Sequence, residues 1–147
     1  MNNSRRVALK TTGAFATLVS LGIVTQSQAH AAMDRAGFDI KTMADAVKAL
    51  GGTAANSDQV TVVAPDIAEN GAVVPVGATS KIPNTTEIYL IVEKNPTPMA
   101  AGFKIPAGTA ADVQTRLKMG QSSNVFAVVK ADGKLFSAFK ETKVTLG

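Results

Sequence analysis

The spacing of apolar residues along the chain changes from helical to extended near Gln59. Before that point, apolar residues recur every three or four positions, and they are Ile40, Met43, Ala44, Val47 and Leu50. This spacing predicts a helix from Asp39 to Leu50, capped by Asp39 and ended by Gly51-Gly52. We expect the apolar stripe to pack on the helix's own domain, although a helix that docks a partner would show the same pattern.

Short β-branched runs separated by turn sequences predict six or seven strands after Gln59. The predicted strands are Val60–Val63, Ala72–Val76, Ile88–Val92, the alternating stretch Val113–Met119, Val125–Val129, Leu135–Phe139 and Val144–Leu146. Asp132-Gly133 predicts a two-residue hairpin turn, and Pro75 inside a strand predicts an edge position or a bulge. The pattern therefore predicts an all-β fold, an immunoglobulin-like antiparallel β-sandwich with one N-terminal amphipathic helix.

The first 31 residues have the organisation of an export signal. A basic stretch around Arg5-Arg6 precedes an uncharged apolar run from Thr11 to Thr25, and the small-residue motif Ala29-His30-Ala31 follows. We expect a twin-arginine signal peptide over residues 1–31 and a periplasmic domain over residues 32–147; an ordinary secretory signal is the alternative. The apolar run is too short to span a bilayer, so no membrane association is expected after cleavage.

Removal of the signal peptide also removes most of the net charge. The chain has 15 basic and 11 acidic residues, and Arg5, Arg6 and Lys10 lie in the signal without any acidic residue. The domain that remains has a net charge close to zero. Nucleic-acid binding normally requires a clustered basic face, so no nucleic-acid partner is expected.

The residue types present in the sequence include few candidate catalytic groups. The chain contains no cysteine, and its single histidine, His30, belongs to the predicted signal. We therefore expect no enzyme activity, no metal site and no cofactor, because imidazole and thiolate are the commonest ligands and nucleophiles. Asp66 and Glu69 flank a predicted turn whose side chains would bond their own backbone; a carboxylate-dependent hydrolase using both is the alternative. Ser122-Ser123-Asn124 is interpreted as a hairpin loop without a base to activate a serine.

Five runs of the predicted domain resemble the SoxY family, the sulfur-carrier subunits of the periplasmic thiosulfate-oxidising Sox system. The most specific is Ala64-Pro65-Asp66-Ile67-Ala68-Glu69-Asn70-Gly71-Ala72-Val73-Val74-Pro75-Val76. The others are Glu93–Pro98, Thr115–Met119, Ala131–Lys134 and Lys143–Gly147. They occur in order and cover nearly the whole domain.

The resemblance implies an immunoglobulin-like sandwich that forms a heterodimer with SoxZ, a second small β-sandwich protein, and meets the periplasmic Sox enzymes transiently. In the family, the last strand leads into a Gly-Gly-Cys-Gly-Gly arm whose cysteine carries sulfur intermediates. A glycine-rich arm of five residues reaches about 16–18 Å, and a thiolate can hold and release sulfur.

The sequence departs from the family pattern at this arm. It stops at Gly147, which matches the first glycine, and it has no cysteine. We favour an arm that is missing from the sequence, because the resemblance to the family shows no other departure before Gly147. The alternative is a cysteine-free scaffold that only binds a partner. Leu146 and Gly147 are the expected root of the missing carrier arm, and we expect no catalytic, cofactor-binding or metal-binding residue.

Overall fold

The computed structural model describes residues 36–145. The predicted signal peptide, residues 1–31, and the predicted arm root, Leu146 and Gly147, lie outside the described residues. Within residues 36–145, no helix combines the length and the apolar character needed to cross a membrane.

The described residues begin with a short 3-10 helix, Ala36–Asp39, followed by one α-helix, α1 (Met43–Ala49). Nine strands follow: β1 (Ala54–Asn56), β2 (Val60–Val63), β3 (Ile67–Ala68), β4 (Val74–Ser80), β5 (Thr85–Val92), β6 (Met99–Lys104), β7 (Asp112–Leu117), β8 (Ser123–Ala131) and β9 (Lys134–Val144).

These strands form two sheets. The first sheet has the order β1-β9-β8-β5-β6, and β3 also pairs with β9; the second sheet has the order β2-β4-β7. All pairs are antiparallel except those of β1 and β3, which run parallel to β9. The predicted all-β sandwich is confirmed, but the pattern did not predict three of its strands: the two short parallel strands β1 and β3, and the antiparallel β6.

The main core lies between the two sheets and follows the two-residue period of the strands. In the first sheet it includes Ile88, Leu90 and Val92 of β5 and Val125, Ala127 and Val129 of the neighbouring β8. In the facing sheet, β4 contributes Val74, Val76 and Ala78. The intervening residues of the first sheet face away from this core. Both faces of the first sheet therefore contribute buried residues.

The outer face of the first sheet packs against α1. Ala46 is fully buried there beside Ile91 and Val128, and Met43, Val47 and Leu50 pack around them. The prediction that this helix packs on its own domain is thus confirmed. Ala44, placed in the stripe by its spacing, is exposed.

The predicted start of the helix is wrong. Asp39 belongs to the preceding 3-10 helix, and Thr42 caps α1 by accepting a hydrogen bond from the Asp45 backbone N–H at 3.2 Å. Thr42 has an extended backbone, as an N-cap requires. The predicted stop is confirmed, because Gly51 and Gly52 both have φ angles that favour glycine, 132° and 127°.

The hairpin between β8 and β9 is confirmed, and Asp132 (φ 49°) and Gly133 (φ 72°) form its turn. The last strand predicted at Val144–Leu146 is not separate where the structure describes it, because β9 continues without interruption from Lys134 to Val144; Leu146 lies outside the described residues. Pro75 lies in β4, the central strand of the second sheet, so the predicted edge position is found only locally, where one neighbouring strand is absent. It pairs with β7, whereas β2 reaches along β4 only as far as Gly77.

Candidate functional site

The last strand is held along one side by β3, close to the point where the described chain ends. The Lys143 backbone N–H donates to the Asp66 carbonyl oxygen at 2.9 Å, and the Thr145 N–H donates to the Ala68 carbonyl oxygen at 3.1 Å. The Thr145 hydroxyl also donates to the carbonyl oxygen of Glu69 at 3.3 Å. Residues 66–69 therefore fix the position of Thr145, the last residue that the structure describes.

Ser122, in the loop between β7 and β8, binds the same end of β9. Its Oγ accepts a hydrogen bond from the Val144 N–H at 2.8 Å and lies 3.5 Å from the Val144 carbonyl oxygen, to which it donates. Because β3 and Ser122 bind successive residues of the strand, the last strand residues are fixed by two separate parts of the fold.

The loop that carries Ser122 is itself fastened to the loop after β5. The Asn95 side chain donates to the Lys118 carbonyl oxygen at 2.7 Å and accepts from the Gly120 N–H at 3.3 Å. Next to it, the Lys94 N–H donates to the Ser123 hydroxyl at 3.1 Å. These bonds limit how far Ser122 can move, and so they support the end of β9 indirectly.

Asp66 and Glu69 do not form the turn that the spacing predicted. The residues between them form β3, and Asp66 Oδ1 lies 3.0 Å from Lys140 Nζ. Only Asn70 bonds its own backbone in the expected way, accepting from the Ala72 N–H at 2.9 Å. The Asp66 side chain is 87% exposed.

Within residues 36–145, no group of three His, Cys, Asp or Glu side chains is arranged to bind a metal ion.

Lys140 links β9 to the short segment that connects β2 with β3. Its ammonium group donates to the Ala64 carbonyl oxygen at 2.7 Å in addition to its ion pair with Asp66. Ala64 is buried, so its carbonyl oxygen needs a partner inside the protein. Lys140 thereby fixes the end of β2 and the start of β3 against β9.

The segment Val63–Val73, which we name the exit collar, exposes several apolar side chains and contains β3, which pairs with the end of β9. Four large apolar side chains are prominently exposed among the described residues, and three belong to the collar: Val63, Ile67 and Val73. The fourth is Phe139, which stacks on Phe126 with a centroid distance of 5.1 Å. A hollow of about 250 Å³ adjoins the collar; it is lined by Val63, Ala64, Pro65, Pro75, Val76, Gly77, Gln114 and Thr115.

Sequence reasoning missed the roles of Ser122 and Lys140. Ser122 lies 22 positions from its partner Val144, and no local pattern connects the two. The position of Lys140 in the sequence, in contrast, did indicate a structural role. It follows Phe136 and Ala138 at two-residue spacing, so the alternation of β9 directs its side chain toward the main core. A lysine at such a position needs a buried acceptor, which here is the Ala64 carbonyl oxygen.

Comparison with known proteins shows a strong similarity to a known family. The family model described as "Sulfur oxidation protein SoxY" matches residues 46–147. The solved structure of the sulfur carrier protein SoxY from Chlorobium limicola f thiosulfatophilum is 38% identical and has a TM-score of 0.63; the match covers 69% of this chain and 94% of that chain.

A solved structure of the superantigen toxic shock syndrome toxin-1 also matches, at 10% identity and a TM-score of 0.42, over 58% of this chain and 98% of that chain. That likeness is too weak to carry an argument. Among curated protein sequences, none matches this chain significantly.

Proposed function

Because this chain belongs to the SoxY family of sulfur oxidation proteins, we propose that it is the non-catalytic sulfur-carrier subunit of periplasmic thiosulfate oxidation. Family membership was predicted from the sequence, and the comparisons confirm it. A carrier role in sulfur oxidation follows from that membership. The periplasmic location, the carrier thiol and the partner are finer points of the proposal.

One structural observation supports the carrier role above all others. The end of β9 is bound by β3 on one side and by Ser122 on the other, so the last described residues are held at a defined point of the sandwich. An arm that starts there would swing from a fixed root while the domain stays folded. A mobile sulfur carrier needs this division between a rigid body and a pliable arm.

The carrier group itself is proposed to be a cysteine on a glycine-rich arm that follows Gly147. The 147 residues contain no cysteine, and no other side chain bonds sulfur reversibly. The resemblance of Lys143–Gly147 to the root of the family's arm supports this placement. The competing proposal is a cysteine-free scaffold that only binds a partner.

A reconstituted assay separates these two proposals. The chain extended by Gly-Cys-Gly-Gly should restore thiosulfate consumption to a mixture of Sox enzymes that lacks its own SoxY. The 147-residue chain should not restore it. Equal activity with both chains, or with neither, would contradict a carrier role for an arm at this position.

The proposed partner is a SoxZ-like β-sandwich subunit. A sheet edge exposes backbone N–H and C=O groups that can pair with another chain, and a heterodimer covers such edges. In this fold β6 borders the first sheet and β7 borders the second. We expect a stable one-to-one complex by size-exclusion chromatography with SoxZ and self-association without it. A monomer that is unaffected by SoxZ would count against the partner.

Export by the twin-arginine route is the last element of the proposal. The small residues Ala29 and Ala31 suit the −3 and −1 positions of a signal peptidase site, so the exported protein should begin at Ala32. Intact-mass measurement of periplasmic protein tests this expectation. A mass that still includes Met1 would contradict it.

A further inference from the structure

The turn that follows β3 contains the pair Asn70-Gly71, and Asn70 lies at the surface. We propose that Asn70 is a site of spontaneous deamidation and that the isoaspartate formed there loosens the end of β9. This inference is independent of the proposed carrier function. It assigns a modification site to the exit collar, the segment that pairs with the last strand.

The reaction joins atoms of two neighbouring residues and needs only water as a co-reactant. The backbone nitrogen of Gly71 attacks Cγ of Asn70, the bond between Cγ and Nδ2 breaks, and the Gly71 amide proton leaves with the ammonia that is released. Water then opens the resulting succinimide ring. Cleavage of the new Cγ–N bond gives aspartate. Cleavage of the original peptide C–N bond gives isoaspartate, in which the main chain runs through Cβ and Cγ.

The local structure favours attack on the side chain of Asn70. Gly71 has no Cβ, so no side chain hinders the approach of its nitrogen. Asn70 Oδ1 accepts a hydrogen bond from the Ala72 N–H at 2.9 Å, which draws electron density from Cγ and makes it a better electrophile. The Gly71 N–H has no hydrogen-bond partner among residues 36–145, so no such bond has to break before its nitrogen reacts.

The turn is closed by a long backbone hydrogen bond. The Val73 N–H donates to the Asn70 carbonyl oxygen at 3.4 Å, which is longer than most bonds of this kind. Asn70 is exposed but Gly71 is buried, so the Gly71 nitrogen reacts when the turn opens to water. A turn closed by such a bond opens locally at low cost while the domain stays folded.

The other four asparagines of the described residues lack this combination, and two of them lack a free backbone N–H in the next residue. Asn95 precedes Pro96, which has no N–H to lose. After Asn56, the Ser57 N–H already donates to the Ser137 carbonyl oxygen at 3.0 Å. Neither nitrogen is available for attack in the folded chain.

The remaining two asparagines, Asn84 and Asn124, are each followed by a β-branched residue. These residues are Thr85 and Val125, and their side chains hinder the approach of the backbone nitrogen. Asn70 should therefore react before any other asparagine of the domain.

Isoaspartate would lengthen the main chain between two carbonyl groups that are both hydrogen-bonded. The Glu69 carbonyl oxygen accepts from the Thr145 hydroxyl at 3.3 Å, and the Gly71 carbonyl oxygen accepts from the Met119 N–H at 2.7 Å. The added methylene group changes the spacing of these acceptors, so we expect the longer bond, that of Thr145, to be lost. Aspartate would leave the main chain unchanged and would still accept from the Ala72 N–H.

The test follows the full chain during storage in mildly alkaline buffer at physiological temperature. Peptide mapping by mass spectrometry locates the loss of ammonia and gain of water, and an isoaspartyl methyltransferase detects isoaspartate. Asn70→Ser removes the reacting amide and keeps a hydroxyl group that can accept from the Ala72 N–H. The matched control is Asn84→Ser, which removes an exposed asparagine outside the collar. Asn70→Asp reproduces the product with an unchanged main chain.

We expect Asn70 to deamidate at least about tenfold faster than Asn56, Asn84 or Asn124, with isoaspartate among the products. Asn70→Ser should abolish isoaspartate, and Asn84→Ser should leave its amount unchanged. Hydrogen exchange at the Thr145 amide should be faster in the stored chain than in the fresh chain or in Asn70→Asp.

Two sets of results would overturn the inference. Equal rates at all reacting asparagines, or isoaspartate that persists in Asn70→Ser, would overturn the modification site. Unchanged exchange at Thr145 in a chain that carries isoaspartate would overturn the effect on β9.

Discussion

Ser122 and Thr142 each carry a hydroxyl group near the end of β9, but only one of them is hydrogen-bonded. Ser122 Oγ binds both the N–H and the carbonyl oxygen of Val144. Thr142 is fully buried, and its hydroxyl has no partner among the residues that the structure describes. A buried hydroxyl without a partner lowers stability, whereas a bonded one raises it.

Substituting these two residues should therefore have different effects. We expect Ser122→Ala to lower the free energy of unfolding by about 1 kcal/mol and to speed hydrogen exchange at the Val144 amide. We expect Thr142→Val, which keeps the shape and removes the hydroxyl, to leave stability unchanged or to raise it. Urea denaturation and native-state exchange provide the measurements. Equal losses in both variants would contradict the assignment of the bond between Ser122 and Val144.

At the scale of elements, the end of β2 and the start of β3 depend on Lys140 more than on Asp66. The lysine satisfies the buried Ala64 carbonyl oxygen at 2.7 Å, whereas the Asp66 side chain is largely exposed. Exposed ion pairs contribute little, but an unpaired buried carbonyl group is costly.

This difference predicts the outcome of two variants. Asp66→Asn should change the free energy of unfolding by less than about 1 kcal/mol. Lys140→Met should cost about 1–3 kcal/mol and increase exchange at the Lys143 amide, which β3 holds. Thermal denaturation checks both values. Asp66→Asn also tests the rival hydrolase, since a catalytic carboxylate would be revealed by loss of an activity without loss of folding.

The strands differ in how well the sequence predicts them, and the reason lies in the range of the interactions. The hairpin of β8 and β9 has β-branched runs and an Asp-Gly turn, so its signal is local. β6 contains Gly102, which weakens the signal. A Cβ atom at this position would lie 2.9 Å from the Tyr89 ring, so the glycine leaves room for a side chain of the neighbouring strand β5. Two short strands, β1 and β3, exist only because β9 pairs with them.

The sequence likewise predicted only part of the candidate site. The resemblance through residues 64–76 identified all of the exit collar except Val63, but the spacing of Asp66 and Glu69 suggested a turn. The pairing of β3 with β9 overrides that local preference. No local pattern could place Ser122 beside Val144, because the sandwich brings together loops that are distant in sequence.

At the scale of the whole molecule, the core is separate from the proposed chemistry. The sandwich has no disulfide among its described residues, and its core clusters extend from α1 to β9. An arm added after Gly147 would lie outside both clusters. We therefore expect the chain extended by Gly-Cys-Gly-Gly to unfold at the same temperature as the 147-residue chain, within experimental error.

The intact mass of both chains after incubation with thiosulfate, the partner subunit and the conjugating enzyme tests the carrier function most directly. Joining a thiolate to thiosulfate forms one S–S bond and releases two electrons, so an electron acceptor must be supplied. The extended chain should gain the mass of one thiosulfate, and a thiol reductant should remove it. The 147-residue chain should gain none. An adduct on the cysteine-free chain, or none on the extended chain, would contradict the carrier function proposed here.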